Sequence, residues 1–209
     1  IWHAAGLLPL FNMSYATSHI HDYSVKFYKK LEKELNTDIG FKVVGNLRMA
    51  QTQDRMDEFM LYSSTADTVN IPYEWKNPKQ IKDRWPLVYS EDLKGAIYHP
   101  TDGYINPADL TQAIARSARS NDVKIERKTQ ADSFYWDGNS WHVQCSKMFE
   151  KGGNLLVSKE KVTYIAEHVV TATGNHVQNT SKLINTKIAA IPVEHQYIVT
   201  EEDPKLIEY

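Results

Sequence analysis

The sequence lacks the features that announce several classes of protein. It has one cysteine, Cys145, among 209 residues. That excludes an internal disulfide and a multi-cysteine zinc site, and it suits a reducing compartment. No apolar run reaches the ~18 to 20 residues of a membrane-spanning helix. Neither sign of charge dominates. The 24 Lys and Arg against 26 Asp and Glu leave a formal net charge of −2. A nucleic-acid or anionic-membrane partner is therefore not expected. There is no Walker sequence, no HExxH, no GxSxG and no GxGxxG. The histidines are scattered, and the closest pair, His19 and His21, does not share a helix face, so no metal site is expected. Neither His99 nor His142 has an evident chemical partner. The first residues, Ile1-Trp2-His3, carry no Met and no basic leader. The sequence reads as an internal piece of a longer protein.

What is present is ordinary globular material: 42 % hydrophobic and 24 % charged residues, enough for one core or two small domains. Ser18 is placed to cap a helix over about 19–35, with Ile20, Tyr23, Phe27, Leu31 and Leu35 inward and Gly40 ending the unit. Residues 41–51 read as a strand with Gly45 at a turn or bulge, and 53–69 as a helix. Asn77-Pro78 and Asn106-Pro107 each start a capped helix. A short strand covers 95–98, and Pro100-Thr101-Asp102-Gly103 is a turn. Strands are expected at 123–127, 132–136, 140–145, 155–157 and 162–171. Asp137-Gly138 and Gly152-Gly153 turn between them, giving an antiparallel meander. His168 to Ala172 is more continuously apolar, as in a buried parallel strand. Residues 188–200 read as a further strand, and Asp203-Pro204 opens a helix. The mixture gives an α/β or α+β class.

Three segments are unusual for their composition. Trp2-His3-Ala4-Ala5-Gly6 follows a histidine with small residues, which lets backbone approach something bulky. Val169-Val170-Thr171-Ala172-Thr173-Gly174 ends an apolar strand in small residues, where α/β proteins bind cofactors. Ile191-Pro192-Val193-Glu194-His195-Gln196-Tyr197 sets polar groups in an apolar strand.

With Asp102-Gly103-Tyr104-Ile105-Asn106-Pro107, and in this order, these segments resemble the dimethylglycine/sarcosine dehydrogenase family. Its members are FAD-dependent amine oxidoreductases of the D-amino-acid-oxidase fold. The resemblance implies a partial fold of that kind, with an antiparallel meander and a mixed substrate-domain sheet. It divides the chain into a flavin part, 1–40 and 101–187, and a substrate part, 41–100 and 188–209. It implies FAD as cofactor, with His3 as the residue that bonds the flavin 8α-methyl carbon. Gln130 and Ala131 would present backbone groups to adenine, and Ala172, Thr173 and Gly174 would admit the dinucleotide. His195 would face the substrate amine, with Tyr197 on the same face of the strand. The implied reaction is oxidative demethylation of a small N-methylated amino acid, with tetrahydrofolate as a further one-carbon acceptor in the full-length protein. A flavoenzyme of the same fold acting on another amine or hydroxy acid, and a non-catalytic regulatory or scaffold member of the family, are the alternatives. The compartment would be the cytoplasm in a bacterium and the mitochondrial matrix in a eukaryote. The family's GxGxxG unit for the ADP part of FAD would lie upstream of Ile1.

Overall fold

The computed structural model describes residues 4–194, 196, 198, 201 and 204. His3, His195, Tyr197 and Asp203 lie outside the described residues. The chain divides into two compact units: residues 1–123 with 199–209, and residues 124–198.

The first unit is built on helix α1 (Tyr15–Leu35) and a three-stranded antiparallel sheet. Ser14 caps α1, its hydroxyl accepting the N–H of Thr17. Ser18, expected as the cap, is instead buried one turn in and donates to the Asn12 carbonyl. The helix ends at Leu35, as its spacing predicts, and Asn36 closes it. Asn36 takes the left-handed conformation (φ 44°), and the Thr37 N–H reaches back to Glu32, closing the helix as that geometry does.

The inward face of α1 also differs from expectation. Val25 and Leu31 are buried, while Ile20 and Tyr23 are exposed at 64 % and 70 %. Leu31 packs with Ile39, Ile105 and Ala113, the last on helix α4 (Pro107–Ser120). Small Ala113 allows α4 to approach Leu31 closely, while Val25 is buried in a separate cluster with Leu10, Phe59 and Ile97.

Strands β2 (Lys42–Val43) and β3 (Asn46–Ala50) replace the single strand expected over 41–51. Gly45, at φ +80°, separates them. Its position is forced, since a Cβ there would lie 2.2 Å from the Tyr98 hydroxyl. Helix α2 (Gln53–Thr68) follows. Strand β4 (Glu74–Lys76) precedes helix α3 (Pro78–Arg84), whose Asn77 and Gln80 form a reciprocal capping box. Strand β5 (Gly95–His99) is buried at every residue. It lies between β3 and β4, antiparallel to both. The fold class stands, but the sheet expected to be mixed is antiparallel throughout these strands. Ile97 packs toward Phe59 of α2, and Ala96 packs toward Ile81 of α3. Alternation along the strand thus gives each helix its own face.

A smaller sheet sets β6 (Gly103–Tyr104) between β1 (Leu7–Leu8) and β2. It ties the start of the chain to the turn after β5.

The second unit is the expected meander, with β7 (Thr129–Trp136), β8 (Trp141–Lys151) and β9 (Asn154–Ala166) in that spatial order and antiparallel. Both expected turns are present. Residues 123–127, expected as a strand, are not one. A bulge between Ala131 and Ser133 leaves Asp132 outside the register. Its carboxylate accepts from the Ser146 hydroxyl at 2.5 Å and the Lys161 ammonium at 2.7 Å, joining all three strands. Cys145 is buried on β8 between Ala131 and Val162, and burial pushes its thiol pKa up.

Residues 168–172 and 188–194 do not form the strands expected of them. Val170 is 89 % exposed and Ile191 84 %. Apolar composition favours a strand only where a neighbour completes its ladder, and among the described residues neither segment has one.

Candidate functional site

Gln130 and Ala131 lie on β7, opposite Ser146 and Cys145. Gln130 is exposed and Ala131 half-buried. Among the described residues β7 has a strand on one side only. Part of its backbone N–H and C=O groups is therefore free of the ladder. Ala172, Thr173 and Gly174 are exposed after β9, and Gly174 opens a single 3-10 turn, Gly174–His176. The Thr173 hydroxyl accepts from buried Thr180 at 2.9 Å, which anchors the segment to helix α5 (Val177–Leu183). Gly174 has φ +51°, and a Cβ built on it would meet nothing within 4 Å.

The Ala4–Phe11 loop belongs to the first unit. Here the structure gives Gly6 a role the sequence did not. A Cβ at Gly6 would lie 2.2 Å from the Ile105 carbonyl oxygen, and the Gly6 carbonyl accepts the Ile105 N–H at 2.8 Å. Gly6 is small because it docks on Ile105 and Pro107, between β6 and α4. Ala4 and Ala5 are exposed.

Sequence reasoning missed a buried polar cluster in the same unit. His99 Nε2 lies 3.0 Å from the Tyr62 hydroxyl, and both residues are fully buried. Asp102 is 1 % exposed, and its Oδ1 accepts the N–H of Leu10 at 3.2 Å. The Arg48 guanidinium lies over the Phe11 ring, 4.2 Å from its centre. Burial, reinforced by Arg48, pushes His99 down to about 4. Burial pushes Asp102 up to about 6, against the opposing pull of the Leu10 N–H and Arg48. Burial also raises the Tyr62 hydroxyl and lowers Arg48.

Five buried side-chain atoms among the described residues lack a hydrogen-bond partner. They are Asn46 Oδ1, Arg48 Nε, His99 Nδ1, Thr101 Oγ1 and Asp102 Oδ2. All come from β3, the end of β5 and the turn after it. No spacing rule could have found this cluster, because its members meet only through the β3–β5 register and the packing of α2. His142, also without an evident partner in the sequence, pairs with Asp137 at 2.7 Å. The Ser140 N–H and His142 together hold the Asp137 carboxyl down at about 2.

Among the described residues no group of three His, Cys, Asp or Glu could hold a metal ion, and no helix is long and apolar enough to cross a membrane. A dinucleotide fits what is present. The open space at Gly174 and the outer edge of β7 leave backbone accessible, and Ala131 and Ala172 add little bulk.

The family model described as "FAD dependent oxidoreductase" matches residues 2–208. The mitochondrial dimethylglycine dehydrogenase of Rattus norvegicus is 31 % identical over 208 residues, covering 98 % of this chain and 22 % of that protein. The mitochondrial pyruvate dehydrogenase phosphatase regulatory subunit of Mus musculus is 30 % identical over 199 residues, covering 94 % of this chain and 21 % of that protein. The chain thus spans about a fifth of each relative's length. The crystal structure of glycine oxidase from Geobacillus kaustophilus superposes with a TM-score of 0.68 at 21 % identity, covering 91 % of this chain and 50 % of that one. That likeness shows the fold.

Proposed function

The chain belongs to the FAD-dependent oxidoreductase family, and from that premise we propose that the protein carrying it oxidatively demethylates an N-methylated amino acid such as dimethylglycine or sarcosine. The observation that carries this reading is the 31 % identity to a dimethylglycine dehydrogenase across 98 % of the chain. FAD, when bound, supplies the acceptor for the hydride leaving the C–H bond beside nitrogen. The substrate becomes an iminium ion, which water splits to the demethylated amine and formaldehyde, or whose one-carbon unit passes to tetrahydrofolate.

The residues of this chain hold the partners and move the proton. His195 binds the substrate amine or takes its proton, a task that suits an imidazole with an ordinary pKa near 6.5. Tyr197, two positions on, shares its face if the segment is extended. His3 would hold the flavin covalently through an imidazole nitrogen. Gln130 and Ala131 meet adenine through backbone groups. Ala172, Thr173 and Gly174 admit the dinucleotide, a role supported by the open space at Gly174. Residues 1–40 and 101–187 serve the flavin, and 41–100 and 188–209 serve the substrate. The compartment would be the mitochondrial matrix in a eukaryote and the cytoplasm in a bacterium. One observation favours a second reading, a regulatory role: the 30 % identity to a phosphatase regulatory subunit.

The test is the full-length protein expressed with FAD, precipitated with acid and titrated anaerobically with dimethylglycine, sarcosine and glycine. The reading expects a yellow pellet for the native sequence and a yellow supernatant for His3→Ala. It expects both N-methylated amines to bleach the flavin ahead of glycine. A yellow protein that no amine bleaches refutes the substrate class. A colourless protein supports the regulatory reading.

A further inference from the structure

Asp102 joins three stretches of chain at one point. Its Oδ1 accepts the N–H of Leu10, 92 positions away, at 3.2 Å. Its carbonyl oxygen accepts the N–H of Val44 at 3.2 Å and of Gly45 at 2.8 Å. Its own N–H donates to the His99 carbonyl at 3.4 Å. The next residue, Gly103, opens β6, which pairs with both β1 and β2.

Each strand of that small sheet is two residues long. So short a ladder specifies its register weakly, because a slip forfeits only one or two hydrogen bonds. The Asp102–Leu10 bond lies beyond the end of β1. It pins the first segment from outside the ladder. In that register Gly6 packs against the Ile105 carbonyl and accepts the Ile105 N–H.

We propose that Asp102 is a positioning residue for flavin attachment: it fixes the register of β1 on β6, and thereby where the Ala4–Gly6 segment, which follows His3 in the chain, stands. This rests on the reading that His3 holds FAD. A slip of one residue would shift that segment about 3.3 Å and turn every side chain to the opposite face. A bond to a ring held elsewhere in the protein does not tolerate such a shift.

The choice of a carboxylate supports a positioning role. Asp102 is 1 % exposed and its Oδ2 has no partner. Burying it so incompletely satisfied is a liability for stability. An apolar side chain would avoid that liability but could not hold the Leu10 N–H.

The experiment compares native full-length protein with Asp102→Leu and Asp102→Asn, all expressed with FAD. Two quantities are read: the fraction of flavin that stays with the acid-precipitated protein, and backbone hydrogen exchange over residues 4–11. Asp102→Leu should lower the covalent fraction at least fivefold and speed exchange over 4–11 at least tenfold, with residues 46–50 and 141–151 unchanged. Asp102→Asn keeps an acceptor oxygen and should restore both. A Leu variant with native covalent fraction and native exchange overturns the proposal. If the native protein holds no covalent flavin, the reading of His3 fails and hydrogen exchange alone decides on Asp102. If the Leu variant does not fold, the native Leu10 amide decides. Protection equal to that of the β3 amides supports the role, and exchange at the rate of an exposed loop amide overturns it.

Discussion

His99 on β5 and Tyr62 on α2 meet at 3.0 Å, imidazole nitrogen to hydroxyl oxygen, with no solvent access to either side chain. Burial keeps the imidazole neutral, reinforced by Arg48, since a proton would add charge beside a guanidinium and away from water. Three elements supply the groups around it: Arg48 from β3, Tyr62 from α2, and Asp102 from the turn after β5. Arg55 and Glu58 of α2 act on Arg48 from further out.

Two opposed titrations follow. His99 binds its proton near pH 4 when folded and near 6.5 when unfolded. The unfolded chain holds more protons in that window, so this group makes stability rise with pH from about 4 to 6.5. Asp102 binds its proton near pH 6 when folded and near 3.8 when unfolded. The folded chain holds more protons there, so this group makes stability fall as pH rises from about 4 to 6. The native protein should therefore show little change in urea stability over that range. His99→Asn should unmask a decline toward pH 6, and Asp102→Asn a rise, each worth about 1 to 3 kcal/mol. Variants whose slopes share a sign would contradict the assignment.

Gly103 should be the least replaceable glycine of the first unit. A Cβ there would stand 1.9 Å from the Lys42 carbonyl oxygen, a backbone atom that can yield only by parting β2 from β6. Gly138 faces open space and bears only the strain of φ +102°. Thermal melts should show Gly103→Ala losing about 2 kcal/mol or more, and Gly138→Ala about 1 kcal/mol. Equal losses would mean that the β2–β6 contact is loose.

Gly174→Leu separates packing from binding. With nothing within 4 Å of its Cβ, the variant should fold with a penalty of about 1 kcal/mol, from the left-handed backbone alone. If the dinucleotide passes over this position, flavin retained on gel filtration should drop at least tenfold. A normal flavin content in a folded variant would remove Gly174 from the site.

His195→Ala tests the proton step. Stopped-flow reduction by dimethylglycine should slow about a hundredfold. The rate should also lose its pH dependence near neutrality, while the flavin content stays native. An unaltered rate and profile would leave the substrate amine to another base.

The sequence told most where the deciding interactions are local. Asn77-Pro78 and Asn106-Pro107 announce their helices because a cap and a fixed φ act within four residues. Asp137-Gly138 and Gly152-Gly153 announce their hairpins because turn geometry is set by the turn residues. It told less where a distant partner decides. Ile20, Tyr23 and Phe27 have helical spacing, yet α4 buries Leu31, and the cluster of Leu10, Phe59 and Ile97 buries Val25. Residues 168–172 are apolar enough for a strand, yet a strand also needs a neighbour. Among the proposed site residues, Gln130, Ala131 and the 172–174 segment stand in the same unit, while the Asp102 cluster could be seen only once β3, β5 and α2 were brought together.

Cys145 gives the second unit a chemical clock of its own. The protein's single thiol sits shut between β7 and β9, 5 % exposed and harder to ionise than a free one. A thiol reagent added to native protein therefore meets no ready nucleophile, and at reagent concentrations high enough that labelling outruns reclosing, the labelling rate becomes the rate at which the meander opens. The first unit carries no cysteine, so a single colorimetric trace reads the opening around this one strand of the second unit.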